Sequence, residues 1–134
     1  MAEKKQPLKN NNKIKIVIVE DDPFLLGMYV TKLEMTGFDV SGVEDGKEAV
    51  PMVEKEMPDL VLLDIILPNV DGFEILKKLK KQDSTKDIPI IIFTNLGQQA
   101  DVEKGLELGA VDYLIKAHFT PSEVIEKVNR IIKK

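Results

Sequence analysis

Short runs of Val, Ile and Leu bounded by turn residues alternate along the chain with longer stretches in which apolar residues recur every three or four positions. The runs predict strands over Lys15–Val19, Asp39–Val43, Leu60–Leu63, Pro89–Phe93 and Val111–Ile115. The stretches between them predict helices over Pro23–Thr36, Lys47–Lys55, Gly72–Lys81, Gln98–Leu108 and Pro121–Lys133. Continuously apolar strands are buried on both faces, so the rhythm predicts an α/β domain: one five-stranded parallel sheet flanked by five helices.

Local chemistry sharpens several boundaries. Thr120-Pro121-Ser122-Glu123 offers an N-cap, a proline at the first helical position and a glutamate placed for a capping box. Asp22 before Pro23 reads as a cap, Asp71-Gly72 as the cap and turn opening the third helix, and Gly109 as the left-handed stop of the fourth. Pro51 conflicts with the second helix, because an interior proline deletes a backbone donor and costs ~3 kcal/mol. That helix is expected to be short, kinked or late-starting. Residues 1–12 are polar and without periodicity and are expected to form a disordered tail, leaving 13–134 as the domain. No repeat or low-complexity linker divides the chain, so no separate output domain is expected.

Composition adds exclusions. The chain of 134 residues is long enough for a core and has no cysteine, which removes disulfide scaffolds and thiolate chemistry and agrees with a cytoplasmic location. Its net charge is −4, and no basic stripe is interleaved with aromatics, so direct nucleic-acid binding is not expected. The apolar runs fall far short of the ~20 residues that span a bilayer, so no membrane association is expected.

The candidate chemistry lies where the predicted strands end. The first strand runs into Glu20-Asp21-Asp22, the third into Asp64, the fourth into Thr94 and the fifth into Lys116. In an open α/β sheet these ends converge on the crevice that binds ligands. Carboxylates ~4 Å apart repel by about 4 kcal/mol at an effective dielectric of ~20, so Glu20, Asp21 and Asp64 together call for a cation. Oxygen ligands without His or Cys suit Mg²⁺, with Mn²⁺ possible, and disfavour zinc. With Lys116 and the Thr94 hydroxyl facing it, such a site suits a phosphoryl group, and Asp64 is placed to attack phosphorus. There is no phosphate-binding glycine loop, so the donor has to come from elsewhere. Taken singly, each of these residues is more often a solvated charge, a cap or a strand-end hydroxyl, and Tyr113 a strand aromatic. His118 reads as a loop residue, and Lys77, Lys78, Lys80 and Lys81 as a solvated helix face.

Five segments, in order, carry a resemblance over Lys13 to Lys133. They are Ile16-Val17-Ile18-Val19-Glu20-Asp21, Asp59-Leu60-Val61-Leu62-Leu63-Asp64, Leu67-Pro68-Asn69-Val70-Asp71-Gly72, Ile91-Ile92-Phe93-Thr94 and Gly109-Ala110-Val111-Asp112-Tyr113-Leu114-Ile115-Lys116. Together they resemble the response regulator receiver domains of two-component signalling. The resemblance implies a flavodoxin-like sheet in the order 2-1-3-4-5, the order known for this family. It implies Asp64 as phosphoacceptor, Asp21 as a direct Mg²⁺ ligand, Glu20 as an acidic helper, the Ile66 carbonyl as a further ligand, Thr94 and Lys116 as phosphoryl contacts, and Tyr113 with Thr94 as switch residues. A sensor histidine kinase or histidine phosphotransfer protein is the implied donor. The implied downstream partner is an unidentified protein that reads the face of the fourth helix, fifth strand and fifth helix. No enzyme activity is expected beyond self-phosphorylation and slow self-dephosphorylation.

The chain departs from the family pattern in places. Ala117 follows Lys116 where the family usually has a proline in a cis peptide, and a trans bond is expected because cis before alanine costs ~3 kcal/mol. Asn95 replaces a small residue after Thr94, narrowing access. Ile66 and Leu96 take the two variable positions beside the attacking water, and both are apolar, so slow self-hydrolysis is expected. Two rival readings are a degenerate receiver used as an unphosphorylated docking module and a haloacid-dehalogenase-type phosphohydrolase. The latter needs a second aspartate where this chain has Ile66.

Overall fold

In the computed structural model, which describes residues 13–133, strand β1 (Lys15–Val19) lies at the heart of the domain with Ile16 to Val19 buried. It pairs in parallel with β2 (Asp39–Val43) on one side and β3 (Leu60–Leu63) on the other. Next come β6 (Ile90–Thr94) and β7 (Asp112–Ile115), giving the order β2-β1-β3-β6-β7. Strands β4 (Ile66–Leu67) and β5 (Val70–Asp71) form a separate antiparallel pair. Among the five parallel strands the order is therefore the expected 2-1-3-4-5. The expected disordered tail, 1–12, lies outside the described residues.

Helices α1 (Pro23–Met35), α2 (Ala49–Glu56), α3 (Gly72–Lys81), α4 (Gln99–Glu107) and α5 (Pro121–Ile132) cover both faces of the sheet. Alternate strand residues feed two apolar clusters: Val17, Val61, Leu63 and Ile92 pack with α2 and α3, while Ile16, Ile18, Leu62 and Phe93 pack with α1 and α5. The caps follow the chemistry of the sequence. Asp22 accepts from the Phe24 and Leu25 amides, Asp71 from the Phe73 amide, and Thr120 with Glu123 completes a capping box.

Pro51 is accommodated by a late start. A 3₁₀ turn over Gly46–Glu48 precedes α2, so Pro51 falls in the first α-helical turn, where its missing N–H has no helical partner to lose. Gly109 has φ +113 and ends the α4 segment as expected. The hairpin of β4 and β5 was not legible as strands, since two residues each carry no period. Its turn is visible as Pro68-Asn69, with Asn69 at φ +66.

Lys80 departs from the expected solvated face. Its amine donates to the Lys86 and Ile88 carbonyls at 3.0 and 2.8 Å, tying the end of α3 to the segment entering β6. Burial holds this amine below the usual lysine range, with the charge of Asp87 opposing the shift.

Candidate functional site

Four of the five parallel strands deliver polar side chains to their carboxyl ends. Glu20 follows β1, Asp64 follows β3, Thr94 closes β6 and Lys116 follows β7. Parallel register sets these ends side by side, Val19 pairing with Leu63 and Thr94 with Ile115. Gly72 seats Asp64 from the other side. A Cβ at Gly72 would lie 2.4 Å from the Ile65 Cα and 2.7 Å from the Asp64 carbonyl oxygen, so α3 begins against the backbone of Asp64 only because residue 72 has no side chain.

Lys116 joins the carboxylates. Its ammonium donates to Glu20 Oε1 at 2.5 Å and to Asp64 Oδ2 at 2.8 Å and stands 5.7 Å from the centre of the Phe93 ring. The second oxygens are also engaged: Glu20 Oε2 accepts from the Asp22 amide and Asp64 Oδ1 from the Ile66 amide, each at 3.0 Å. Glu20 and Asp64 are 3% and 4% exposed, so their partners are what make burial tolerable. Among the described residues, no buried side-chain polar atom lacks a hydrogen-bond partner. Burial pushes the Glu20 carboxyl above its usual range, against the Lys116 hydrogen bond. For Lys116 burial works downward, but the bonds to Asp64 and Glu20 outweigh it and the amine lies above the usual lysine range.

Asp21 completes the acidic group. One oxygen from each of Glu20, Asp21 and Asp64 lies within 4.8 Å of the others. Three carboxylates thus answer to a single ammonium, and at ~4.8 Å each pair repels by about 3–4 kcal/mol at an effective dielectric of ~20. The excess of negative charge and the all-oxygen donor set fit a hard divalent cation. An open cavity of about 270 Å³ stands over the group, with Leu25, Ile66 and Asn95 on its walls.

Thr94 lies apart from this cluster in its contacts. Its side chain is fully buried, and its hydroxyl accepts from the Leu96 amide at 3.3 Å. The Leu96 carbonyl in turn accepts from the Tyr113 hydroxyl. Thr94, Leu96 and Tyr113 are therefore linked through the backbone of one loop residue. Tyr113 is turned inward, and burial, with the charges of Asp101 and Asp64, pushes its hydroxyl up to about 12. Leu96 packs against the core and is not on the cavity wall, whereas Ile66 is 54% exposed at its mouth. Among the described residues no peptide bond is cis, so the Lys116–Ala117 bond is trans as expected, and the chain turns into a 3₁₀ segment over Lys116–His118.

Leu25 and Asp22 on the cavity wall were not singled out from the sequence as lining residues. Their signal was position alone, directly after the Glu20-Asp21 pair at the mouth of α1.

The sequence profile of the response regulator receiver domain matches residues 16–129. A probable transcriptional regulator, ycf27, of Cyanophora paradoxa is 39% identical over 123 residues, covering 92% of this chain and 50% of the relative. The alkaline phosphatase synthesis transcriptional regulatory protein PhoP of Bacillus subtilis is 39% identical over 120 residues, covering 90% and 49%. The chain thus spans about half the length of these relatives. Among solved structures, a CheY-like receiver domain protein of Methanospirillum hungatei superposes with a TM-score of 0.85 at 28% identity, covering 91% of this chain and 95% of that one. The BeF₃-activated receiver domain of Klebsiella pneumoniae RstA superposes with a TM-score of 0.82 at 33% identity, covering 90% and 99%. No helix among the described residues is long and apolar enough to cross a membrane. With its profile, its relatives and its parallel sheet in agreement, the chain belongs to the response regulator receiver domain family of two-component signalling.

Proposed function

We propose that Asp64 accepts a phosphoryl group from a sensor histidine kinase or a histidine phosphotransfer protein, and that the receiver switches a partner-binding face in response. The observation that carries this reading is the Lys116 ammonium bonded at once to Glu20 and Asp64, with Asp21 beside them. An Asp64 oxygen forms the new P–O bond as the P–N bond of a phosphohistidine breaks. Lys116 stays on the other oxygen and meets the incoming charge. Mg²⁺, or Mn²⁺, would be held by Asp21, Asp64 and the Ile66 carbonyl with Glu20 as an outer helper, and would supply charge neutralisation at the phosphoryl oxygens.

The buried Thr94 hydroxyl is held by one long hydrogen bond from Leu96, and giving up such a bond costs about 1 kcal/mol. Its turn toward the phosphoryl group disturbs the residue whose carbonyl holds Tyr113. The change reaches the face of α4, β7 and α5, where a downstream protein docks. Contact with DNA is no part of this proposal.

Incubation with Mg²⁺ and acetyl phosphate is expected to add one phosphoryl group to the intact mass. Asp64→Asn and chelation with EDTA are each expected to abolish the gain. Retention of the gain in Asp64→Asn moves the acceptor elsewhere and overturns the assignment. The same experiment separates the docking-module reading, which expects no adduct. The phosphohydrolase reading expects turnover of phosphate esters, for which Ile66 supplies no acid. An immunoblot of the protein from its native cells decides whether an output domain accompanies the receiver, and the phosphoryl chemistry proposed is the same in either case.

A further inference from the structure

Behind Lys116 stand two buried aromatic rings. Phe93 is the last apolar residue of β6 before Thr94, and in the parallel register it pairs with Leu114 of β7, two residues before Lys116. The Lys116 ammonium lies over its ring, 5.7 Å from the centre. A cation at that range is drawn to the aromatic face by the ring quadrupole, and the attraction grows where water is shut out. Phe93 is 3% exposed.

The ring is itself braced. Tyr29 of α1, also buried, meets Phe93 at 5.1 Å between centres and 79° between planes, an edge-to-face contact that holds the tilt of the ring. Burial raises the Tyr29 hydroxyl above the usual tyrosine range, with the charge of Lys116 opposing and that of Glu20 adding, so the second ring sits within electrostatic reach of the same pocket.

Of the three groups that hold the Lys116 ammonium, two are carboxylates. Glu20 and Asp64 both belong to the acidic group that fits a divalent cation, and Asp64 is the proposed site of the new P–O bond. Loading the pocket therefore draws on both. The ring of Phe93 is the partner whose attraction neither a cation nor a phosphoryl group takes away. A lysine stem is long and flexible, so a partner that persists decides whether the ammonium stays aimed.

We propose that Phe93, its ring braced by Tyr29, is a positioning residue for phosphoryl transfer: its aromatic face keeps the Lys116 ammonium aimed at Asp64 while the pocket takes up the cation and the phosphoryl group. The proposal rests on the phosphoacceptor reading of Asp64 and gives an electrostatic role to a side chain that carries no charge.

The test grades the electron density of the ring at nearly constant shape. The full chain is made with phenylalanine or with its monofluoro, trifluoro or pentafluoro analogue at position 93, and each form is labelled by acetyl phosphate with Mg²⁺. The initial rate is expected to fall stepwise along the series, to about a tenth with the pentafluoro ring, whose face no longer attracts a cation, while the Tm stays level. Tyr29→Leu is expected to lose about threefold, and Tyr29→Phe, which restores the ring edge, to recover most of that loss. With Mg²⁺ bound, the Lys116 ε-methylene protons are expected to show the upfield shift of a group above a ring, which Phe93→Leu removes. A rate indifferent to fluorination makes Phe93 a core residue only and overturns the proposal, as does a fall in rate that the Tm shares. Absence of labelling in the unmodified chain would instead sink the phosphoacceptor reading itself, and the role of Phe93 with it.

Discussion

Lys116 and Lys80 are both half-buried lysines whose ammonium groups bridge two acceptors, and they lie at different ends of the sheet. Lys116, after the carboxyl end of β7, bonds the carboxylates of Glu20 and Asp64. Lys80, near the end of α3, bonds the carbonyls of Lys86 and Ile88 and lays its stem against Gly109. Burial disfavours the charge of both. At Lys116 two charged partners outweigh it and the amine is raised, whereas at Lys80 neutral partners and a single Asp87 do not, and the amine is lowered. The same residue type thus serves as the counter-charge of an acidic pocket in one place and as a backbone tie in the other. Ionisable partners, rather than burial, separate the two.

The contrast can be broken by removing each ammonium in turn. Lys116→Met strands two buried carboxylates and is expected to cost about 3 kcal/mol in urea unfolding at neutral pH, with loss of acetyl phosphate labelling. Lys80→Met keeps the stem, loses two bonds from a charged donor and is expected to cost about 2 kcal/mol with labelling intact. Equal losses of labelling in both would mean that Lys116 acts on the pocket only through stability. At the mouth of the pocket, Ile66→Asn offers a hydrogen bond to an attacking water and is expected to shorten the phosphoryl lifetime roughly tenfold, equivalent to about 1.4 kcal/mol of barrier. Leu96→Glu alone is expected to do less, because Leu96 packs against the core; an unchanged lifetime with both substitutions sinks the slow-hydrolysis reading.

The two lysines also differ in the sign of their pH dependence. The folded value of Lys116 is raised above 10.5, so its contribution is complete below that pH and is lost as pH rises through the folded value. The folded value of Lys80 is lowered, so its charge weighs against the fold below that value and the penalty lifts as pH rises toward 10.5. In alkaline urea titrations, Lys116→Met is expected to flatten the fall in stability and Lys80→Met to steepen it. The smallest effect is spectroscopic. The chain has two tyrosines and no tryptophan, so phenolate absorbance in the folded protein should show a transition at about 12 that disappears in Tyr113→Phe, while burial holds the Tyr29 hydroxyl above the usual tyrosine range.

Much of the fold was legible because its determinants are local. A buried strand writes itself as a few consecutive Val, Ile and Leu, and Asp22, Asp71 and the Thr120–Glu123 box mark helix starts through bonds spanning two or three residues. Strand limits moved by one residue at β6 and β7, where pairing rather than composition sets the end. The hairpin at Ile66–Asp71 and the tie made by Lys80 were not legible, the first because two-residue strands have no period and the second because its acceptors are backbone carbonyls that any sequence carries.

For the site, the sequence by itself determined which chemical groups stand at the strand ends: Glu20, Asp21, Asp64, Thr94 and Lys116. Only the tertiary structure decided which of them touch. Lys116 meets Glu20 across 96 positions and Asp64 across 52, contacts that exist only once β7, β3 and β1 lie in one sheet in parallel register. The same closure buried the Thr94 side chain, whose hydroxyl accepts from the Leu96 amide. Short-range torsional and capping preferences fix elements one at a time, whereas the approach of charges depends on how the packed elements are ordered.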